Sequence, residues 1–532
     1  MCQIRENAGL AALKLATHPS GTTLPASMAV GKVWLVGAGP GDPGLITVRG
    51  MELLGRADVV LFDALAHPSL LEACPLAEKI DVGKRYGVES PSQVEISEQL
   101  IAHARAGKRV VRLKGGDPFL FARGSEEATE LARAGVPFEI VPGIPSAVGA
   151  SAYAGVSLTH RDMSSSVTII TGSDRAGKEW SPEAWKKLAT ATDTICVLMG
   201  MRRIEQITAA LAEGGRSVTT PAAVVQWGTR PEQRVVEGTL GDIAGLARSA
   251  GVTNPAVIIV GEVVRLRSEL RWFDYQPLFG RRILIPRAPS QAGATARAVR
   301  ARGAEPVVFP VIEICDPPDP TQLARAATAA SSYDWLVFTS ANGVERFFAA
   351  LSAAGRDARA LGAAKVAVIG PRTRGALAER GIVADLMAHE YVGESLAQAL
   401  LDSGPVRSVL IPRALVARDV LPEALRKSGA QVDVVAAYET KPVSSDRAEA
   451  LRELLSSGQV DAVMFTSGST VNSMCSLLGA DAAALLGGVL VASIGPITSA
   501  ALTEHGVKPT VTATEYTVDG LLDALAIHFA PS

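Results

Sequence analysis

An internal repeat in the second half of the chain constrains the fold more than any other sequence feature. Three blocks recur in the same order at an offset of about 126 residues, which indicates two copies of one α/β unit: Ile283–Ala288 returns as Val409–Ala414, Trp335–Val344 as Ala462–Val471, and Val368–Thr373 as Ser493–Thr498. Extended apolar segments occupy matching positions in the copies, at Glu305–Cys315 and Gln431–Lys441. We expect these segments to cross between two lobes, with a ligand-binding cleft between the lobes.

The first half contains an apolar run that leads into a rigid turn. Val33–Val36 predicts a buried parallel strand, and the turn Gly37–Gly44 that follows holds four glycines, two prolines and one aspartate. A helix is expected to begin after this turn, near Leu45. A second Gly-Asp-Pro loop lies within Leu113–Phe119, after the strand Arg109–Leu113. Because open α/β sheets bind ligands at their strand ends, both loops are expected to line one pocket.

The first loop also matches the G-x-G-x-x-G pattern of nicotinamide sites, with Asp58 or Asp63 as the ribose-binding acid. That pattern holds pyrophosphate with backbone N–H groups at a helix N-terminus. Pro40 and Pro43 have no N–H and fix their φ angles, so this loop is rigid and poor in donors. A ligand with little or no phosphate is therefore favoured, and a nicotinamide-dependent oxidoreductase is the alternative.

Length and composition indicate a soluble protein of two or three domains, since 532 residues exceed what one core supports. The formal net charge is −2 and no apolar run can span a bilayer, so neither nucleic acid nor membrane is an expected partner. The five cysteines are widely separated and form no Cys-x-x-Cys, which predicts a cytoplasmic protein without a metal site. Residues 1–31 lack a signal-peptide pattern and are expected to form a flexible extension, with Met28 as a candidate start.

Short apolar strands alternate with helical stretches such as Ser92–Ala106 and Ser125–Ala134 over residues 32–273. This alternation predicts an α/β domain, divided into two lobes because eight strands are many for one twisted sheet. The expected strands are Val33–Val36, Val59–Phe62, Val110–Leu113, Phe138–Val141, Val167–Thr171, Thr194–Met199, Ala222–Gln226 and Ala256–Val260.

Residues 32–273 resemble uroporphyrinogen-III C-methyltransferase of the precorrin methylase family. The matching segments are Val36–Pro43, Val82–Arg85, Leu113–Phe119, Arg123–Glu127, Val141–Ile144, Tyr153–Arg161, Met199-Gly200 and Gly228-Thr229. Residues 281–532 look like uroporphyrinogen-III synthase, after a linker at 274–280; that match rests on the duplication, Phe-Thr-Ser, Ala437–Thr440 and Ile494–Thr498. The resemblance implies a two-lobed tetrapyrrole methylase domain followed by a duplicated, bilobed α/β synthase domain.

The resemblance implies two consecutive reactions. The synthase closes hydroxymethylbilane to uroporphyrinogen III and inverts ring D. The methyltransferase adds two methyl groups from S-adenosylmethionine, which leaves as S-adenosylhomocysteine, and the product is precorrin-2 on the sirohaem and cobalamin routes. The implied partners are small tetrapyrroles and a second copy of the chain, joined through the methyltransferase half, and no metal is implied. A noncatalytic ligand-binding module is the alternative for the second half.

Three catalytic residues follow from the resemblance. Asp63, after the strand Val59–Phe62, matches the proton acceptor of similar methyltransferases, and Lys84 matches their proton donor. Tyr438 matches the tyrosine of the synthase site and would assist hydroxide departure. The simpler alternatives are a helix cap for Asp63, a solvated lysine for Lys84 and a packing residue for Tyr438.

The resemblance also assigns binding residues. The cofactor is expected against Pro40, Gly115, Gly116, Asp117, Leu120, Pro145, Ser146, Met199, Gly228 and Thr229. The glycines allow close backbone approach, and Pro145 stands where relatives have threonine, so a hydroxyl and an N–H are missing there. Tetrapyrrole contacts are expected at Arg123, Glu126 and Arg161 in the first half and at Thr339, Ser340, Thr466, Ser467 and Thr498 in the second. Surface ion pairing is the alternative for the charged residues.

Overall fold

The computed structural model describes residues 30–83, 91–172, 181–390 and 392–530, and the chain divides into two compact units, Met1–Trp272 and Phe273–Ser532. The strands of the first unit are β1 (Val33–Gly37), β2 (Val59–Phe62), β3 (Glu78–Asp81), β4 (Val110–Lys114), β5 (Phe138–Val141), β6 (Val167–Thr171), β7 (Thr194–Leu198), β8 (Pro221–Gln226), β9 (Arg234–Thr239) and β10 (Ala256–Val260). Its α-helices are α1 (Val48–Leu54), α2 (Gln93–Arg105), α3 (Gly124–Arg133), α4 (Ser146–Tyr153), α5 (Pro182–Ala189), α6 (Ile204–Glu213), α7 (Ile243–Ser249) and α8 (Arg267–Leu270).

Two five-stranded sheets form the two lobes of the first unit. The first sheet has the order β3-β2-β4-β1-β5 with every pairing parallel, and the second has the order β6-β7-β10-β8-β9 with only β6 and β7 parallel. The central strands β1 and β4 are almost completely buried, as parallel strands covered on both faces must be. β1 is apolar throughout, whereas β4 also carries Arg112 and Lys114. The predicted two-lobed α/β domain is confirmed.

Two strands and one helix start differ from the sequence expectations. Strands β3 and β9 lie at sheet edges, where one side is open to solvent, so their sequences lack the continuous apolar run that marked the other strands. The helix expected near Leu45 begins at Val48. Pro43–Leu45 instead forms a short 3₁₀ turn, and the Thr47 hydroxyl caps the helix by accepting from the Gly50 N–H.

The second unit carries eleven strands within the described ranges: β11 (Arg282–Ile285), β12 (Glu305–Val308), β13 (Ile312–Cys315), β14 (Trp335–Phe338), β15 (Lys365–Val368), β16 (Leu386–Met387), β17 (Ser408–Ala414), β18 (Gln431–Pro442), β19 (Ala462–Phe465), β20 (Leu490–Ser493) and β21 (Val511–Thr512). Its helices are α9 (Pro289–Arg300), α10 (Pro320–Thr328), α11 (Ala341–Ala353), α12 (Pro371–Ala378), α13 (Gly393–Asp402), α14 (Val420–Lys427), α15 (Ser445–Ser456), α16 (Gly468–Leu478), α17 (Ala482–Gly487), α18 (Pro496–Glu504) and α19 (Val518–Phe529). No helix within the described ranges is long and apolar enough to cross a membrane.

The two copies of the repeat are shared between the two lobes of this unit. One sheet has the order β12-β11-β19-β20-β21, so two of its strands come from the first copy and three from the second. The other has the order β13-β18-β17-β14-β15-β16, so four strands come from the first copy and two from the second. Equivalent strands, such as β11 and β17 or β14 and β19, therefore hold equivalent places in opposite sheets.

The crossing predicted over Glu305–Cys315 is confirmed, since β12 and β13 belong to different sheets. The crossing predicted over Gln431–Lys441 is wrong. Those residues lie in β18, which stays in the six-stranded sheet because it pairs with β17 along its first part and with β13 along its last part. The chain enters the other lobe only after β18, where α15 packs on the core of the five-stranded sheet.

The shared copies predict that neither copy folds alone. A fragment of residues 273–407 contains β11–β16, which belong to two different sheets and lack their central partners β17 and β19. We expect this fragment to show no cooperative thermal transition by circular dichroism, whereas residues 273–532 unfold cooperatively. Cooperative unfolding of the short fragment would contradict the description of the two lobes.

Candidate functional site

The two Gly-Asp-Pro loops meet at the carboxyl ends of neighbouring strands. β1 and β4 pair in parallel, and beyond their ends Gly39 and Gly116 exchange backbone hydrogen bonds of 3.3 and 2.8 Å. Both glycines have φ angles in the left-handed region, +77° and +69°, which other residues rarely adopt. The two loops therefore form one continuous wall, as the sequence predicts.

A cavity of about 640 Å³ lies against this wall, within the range of small-molecule sites. The strand ends of both sheets of the first unit contribute to it. Ten of the residues predicted to bind cofactor or act in catalysis line it: Pro40, Asp63, Gly115, Gly116, Asp117, Leu120, Pro145, Ser146, Met199 and Gly228. Other lining residues, including Leu65, Phe121, Trp227 and Arg230, were not predicted as binding residues.

The Asp117 carboxylate braces two of the loops. One oxygen accepts from the Phe119 N–H at 2.8 Å and the other from the Gly143 N–H, on the loop after β5, at 3.0 Å. At Gly143 a Cβ would stand 2.3 Å from the Gly116 carbonyl oxygen and 2.7 Å from the Cα of Gly37. The three strand ends thus touch through backbone atoms alone.

A second brace joins the two lobes of the first unit across the cavity. The Asp42 carboxylate accepts from the Tyr153 hydroxyl at 2.7 Å, and the Asp42 N–H donates to the Thr229 hydroxyl at 2.9 Å. Burial and the neighbouring Asp42 raise the pKa of Tyr153, which keeps this hydroxyl a donor. Thr229, predicted to contact cofactor, is buried, and its N–H donates to Gln233.

Backbone strain concentrates around this cavity. Within the described ranges the non-glycine residues with positive φ are Phe121, Arg123, Met199, Trp227 and Thr229. Three of them line the cavity, and the other two lie within two residues of a lining position. Left-handed conformations of such residues cost free energy and cluster at ligand sites, so this distribution indicates a functional cleft.

Asp63 lies at the end of β2, with its side chain partly open to the cavity. Its Oδ1 accepts from Arg112 Nη2 at 2.5 Å, and its Oδ2 accepts from the Gly115 N–H at 3.3 Å. The alternative of a helix cap is wrong, since the following 3₁₀ segment, Pro68–Ala73, is capped by His67. An oriented carboxylate at the edge of a cleft is suited to accepting a proton.

The predicted tetrapyrrole contacts of this unit lie outside the cavity lining. Arg123 and Glu126 pair with each other at the start of α3, through bonds of 2.9 and 2.7 Å, and both are exposed. Arg161 is exposed in the turn before β6. Lys84, the predicted proton donor, lies outside the described residues.

The second unit has a cavity of about 570 Å³ between its two lobes. It is lined from the five-stranded lobe by Ala288, Gln291 and Arg447, from the six-stranded lobe by Asn342, Glu345 and Arg346, and by residues next to both crossings, including Pro310, Ile312, Val443 and Ser444. The Gln291 amide donates to Asn342 at 3.1 Å across this gap. A cleft between the lobes is therefore present, as predicted.

None of the predicted synthase residues lines this cavity. Tyr438 lies within β18, and the other predicted residues lie after strands and at the starts of helices. The Tyr438 hydroxyl is 3.1 Å from Ser340 Oγ, which caps α11, while the Tyr438 ring is buried in the core of the six-stranded lobe. Thr339 lines a smaller cavity of about 140 Å³. Ser467 caps α16 next to Thr466, and Thr498 is buried in the first turn of α18. The structure thus brings only Tyr438 and Ser340 of this set into hydrogen-bond contact.

Comparison with known proteins matches each unit to a family. Residues 32–244 match the tetrapyrrole (corrin/porphyrin) methylases, and residues 293–523 match uroporphyrinogen-III synthase HemD. The porphyrin biosynthesis protein HemD of Ruminiclostridium josui is 37% identical, covering 93% of this chain and 97% of its own length. Siroheme synthase 1 of Yersinia enterocolitica is 49% identical over 46% of this chain, which spans 52% of that relative.

A solved structure of uroporphyrin III C-methyltransferase from Thermus thermophilus is 40% identical, with a TM-score of 0.39, over 44% of this chain and all of its own. A uroporphyrinogen III synthase structure from the same organism is 24% identical, with a TM-score of 0.35, over 47% of this chain and all of its own. The two family matches and the two relatives compared by sequence give no support to the nicotinamide-dependent alternative.

The contact of the three strand ends predicts a strict requirement for glycine at position 143. In Gly143→Ala the new methyl group meets backbone atoms that cannot rotate away, so we expect a loss of about 1–3 kcal/mol in stability. The matched control is Gly245→Ala at an exposed position of helix α7, where nothing lies within 4 Å of the added methyl group and alanine is favoured. In thermal unfolding, the transition temperature of the first unit should be lowered in Gly143→Ala but not in Gly245→Ala. Equal transition temperatures for the two variants would contradict this prediction.

Proposed function

We propose that this chain, which belongs to the family of the porphyrin biosynthesis protein HemD, closes hydroxymethylbilane to uroporphyrinogen III and then methylates it twice to precorrin-2. The chain joins a uroporphyrinogen-III synthase to a tetrapyrrole methylase, so it unites two enzymes of tetrapyrrole biosynthesis. The observation that carries the proposal is that each of the two matched units contains its own ligand-sized cavity.

The residues around the first cavity fit S-adenosylmethionine. Gly115 and Gly116 have no side chains, so a ligand can approach their backbone closely, and Leu120 and Met199 add apolar surface. When bound, S-adenosylmethionine supplies an activated methyl group. The proposed cofactor contacts also include Pro40, Asp117, Pro145, Ser146 and Gly228, while Thr229 supports the loop through Asp42. Asp117 already accepts two backbone bonds, so we assign it to shaping the pocket as well.

Asp63 is proposed as the proton acceptor of methyl transfer. A pyrrole carbon of uroporphyrinogen is itself an electron-rich nucleophile, so the enzyme mainly has to align it and remove the proton released afterwards. The Asp63 carboxylate borders the cavity and is oriented by Arg112. We propose that Lys84 donates a proton and that Arg123, Glu126 and Arg161 bind substrate carboxylates outside the cofactor cavity, a pairing that guanidinium groups favour.

The synthase reaction is proposed for the cleft between the lobes of the second unit. Loss of hydroxide from hydroxymethylbilane is assisted by a proton donor, and the Tyr438 hydroxyl, held against Ser340, supplies one. The hydroxyl and backbone groups at Thr339, Thr466, Ser467 and Thr498 are proposed to hold the substrate carboxylates, since helix N-termini favour anions.

Cellular location and assembly are proposed from the same resemblance. We propose a cytoplasmic enzyme that dimerises through the methyltransferase half and requires no metal ion. Small tetrapyrroles are its substrates. Light scattering of the purified chain at several concentrations tests this proposal. A dimer would give a molecular mass of twice the chain mass of 55.3 kDa.

Conversion of hydroxymethylbilane by the purified chain tests the proposal as a whole. With S-adenosylmethionine present, we expect a doubly methylated macrocycle of the inverted isomer, identified by absorbance and mass. Methylation of supplied uroporphyrinogen III without closure of hydroxymethylbilane would make the second unit a binding module. No methylation of either starting material would reject the proposal for the first unit.

Two single variants should separate the reactions. Asp63→Asn removes the proton acceptor, so we expect methylation of uroporphyrinogen III to fall by about 10²–10⁴-fold while ring closure is unchanged. Tyr438→Phe removes only a hydroxyl, so we expect ring closure to fall at least about tenfold while methylation is unchanged. Each variant is the control for the other, because each alters one unit. Loss of both activities in either variant would contradict the assigned roles.

A further inference from the structure

Behind the first cavity, four charged side chains form a connected group that we call the buried charge network: Asp63, Arg112, Lys114 and Glu127. Glu127 is completely inaccessible to solvent, and Arg112 and Lys114 are each only 2% exposed. Arg112 and Lys114 are two residues apart on β4, so they point to the same face of the sheet, toward α3. Only Asp63 reaches the cavity.

Glu127 is the centre of this network. Its Oε1 accepts from Gln93 Nε2 at 2.8 Å, from Lys114 Nζ at 2.9 Å and from Arg112 Nε at 3.2 Å. Its Oε2 is buried and accepts from no side chain or backbone group within the described ranges. A single carboxylate oxygen thus orients two buried cations.

Arg112 links Glu127 to the cavity. Its Nε is held by Glu127, its Nη1 donates to the carbonyl oxygens of Leu113 and Leu61, and its Nη2 donates to Asp63 Oδ1 at 2.5 Å. Because the guanidinium is rigid and planar, fixing two of its nitrogens fixes the third. The position of the Asp63 carboxylate therefore depends on a residue that never reaches the cavity.

Stability alone gives little reason for such a network. Removing charges from water costs several kcal/mol per ion, and apolar residues of similar size often serve a core equally well. Burial and the nearby charge of Arg112 lower the pKa of Lys114, which reflects this cost. The charges of the two cations, Arg112 and Lys114, are balanced by the two carboxylates of the network. If Glu127 were neutralised, Asp63 would be the single carboxylate of the network facing both cations.

We propose that Glu127 is a positioning residue for methyl transfer: it holds Arg112 in the orientation that presents the Asp63 carboxylate to the cavity. This inference rests on the proposed function of Asp63 as proton acceptor. Glu127 touches neither substrate nor cofactor and acts through Arg112 alone.

Glu127→Gln in the full chain tests the inference. The variant keeps the side-chain shape but loses the charge that orients Arg112, so we expect kcat for methylation of uroporphyrinogen III to fall by about 10- to 100-fold, less than removal of the proton acceptor itself. The dissociation constant for S-adenosylhomocysteine, measured by calorimetry, should change less than twofold. Glu130→Gln is the matched control, because Glu130 is an exposed residue of the same helix that pairs with the exposed Arg133.

A double-mutant cycle separates positioning from a general structural effect. If Glu127 acts through Asp63, adding Glu127→Gln to Asp63→Asn should reduce kcat no further. Multiplicative losses would overturn the inference, and so would a weakened affinity for S-adenosylhomocysteine equal to the loss in kcat.

Arg112→Lys provides a second variant should Glu127→Gln fold poorly. Lysine keeps the charge but cannot contact Glu127 and Asp63 with two fixed nitrogens, so we expect a similar fall in kcat and a shifted pH profile for kcat, with ligand affinity retained. Wild-type-like kcat and pH profile in this variant would overturn the inference. If the wild-type chain fails to methylate, the proposed function itself fails, whereas an active wild type with full activity in Glu127→Gln rejects only the positioning role.

Discussion

The close approach of three strand ends at Gly37, Gly116 and Gly143 is the contact on which the first site depends. Their backbones lie so near one another that a single added methyl group at either Gly37 or Gly143 would fall within 3 Å of a neighbouring main-chain atom. Because no side chains separate them, the loops after β1, β4 and β5 form one continuous wall. The Asp117 carboxylate stabilises this wall by accepting two backbone hydrogen bonds. Every proposed cofactor contact from the first sheet is placed by this junction.

Much of this arrangement could be predicted from the sequence because buried parallel strands leave a simple signal. Strands that end in Gly-Asp-Pro loops predicted that the loops after β1 and β4 line one pocket, and the structure agrees. It adds that the two strands are neighbours in the sheet. Edge strands such as β9 were not predicted, since half-exposed strands mix polar with apolar residues. The role of Thr229 was also invisible, because nothing local shows that its hydroxyl accepts from Asp42, 187 residues earlier.

The proposed proton acceptor of the first site shows a different limit of prediction from sequence. The role of Asp63 came from the resemblance, yet its carboxylate contacts Arg112, which contacts Glu127 in turn, and neither of these two residues carries a pattern of its own. A charged residue within an apolar strand usually suggests that the strand lies at the edge of its sheet. Here, however, Arg112 and Lys114 lie in the most buried strand of the sheet. The function of such residues follows from partners that only the tertiary structure reveals.

The exchange of strands between the repeats of the second unit has a consequence for its synthesis and its history. Ribosomes deliver the chain from the N-terminus, so the five-stranded sheet lacks its central strand β19 until residue 465 has been made. Strands β11 and β12 must therefore wait for their partner β19, although the six-stranded sheet is complete at Pro442 and the first unit has all of its strands. The same exchange means that neither copy of the repeat could change independently of the other, because each sheet contains segments of both copies.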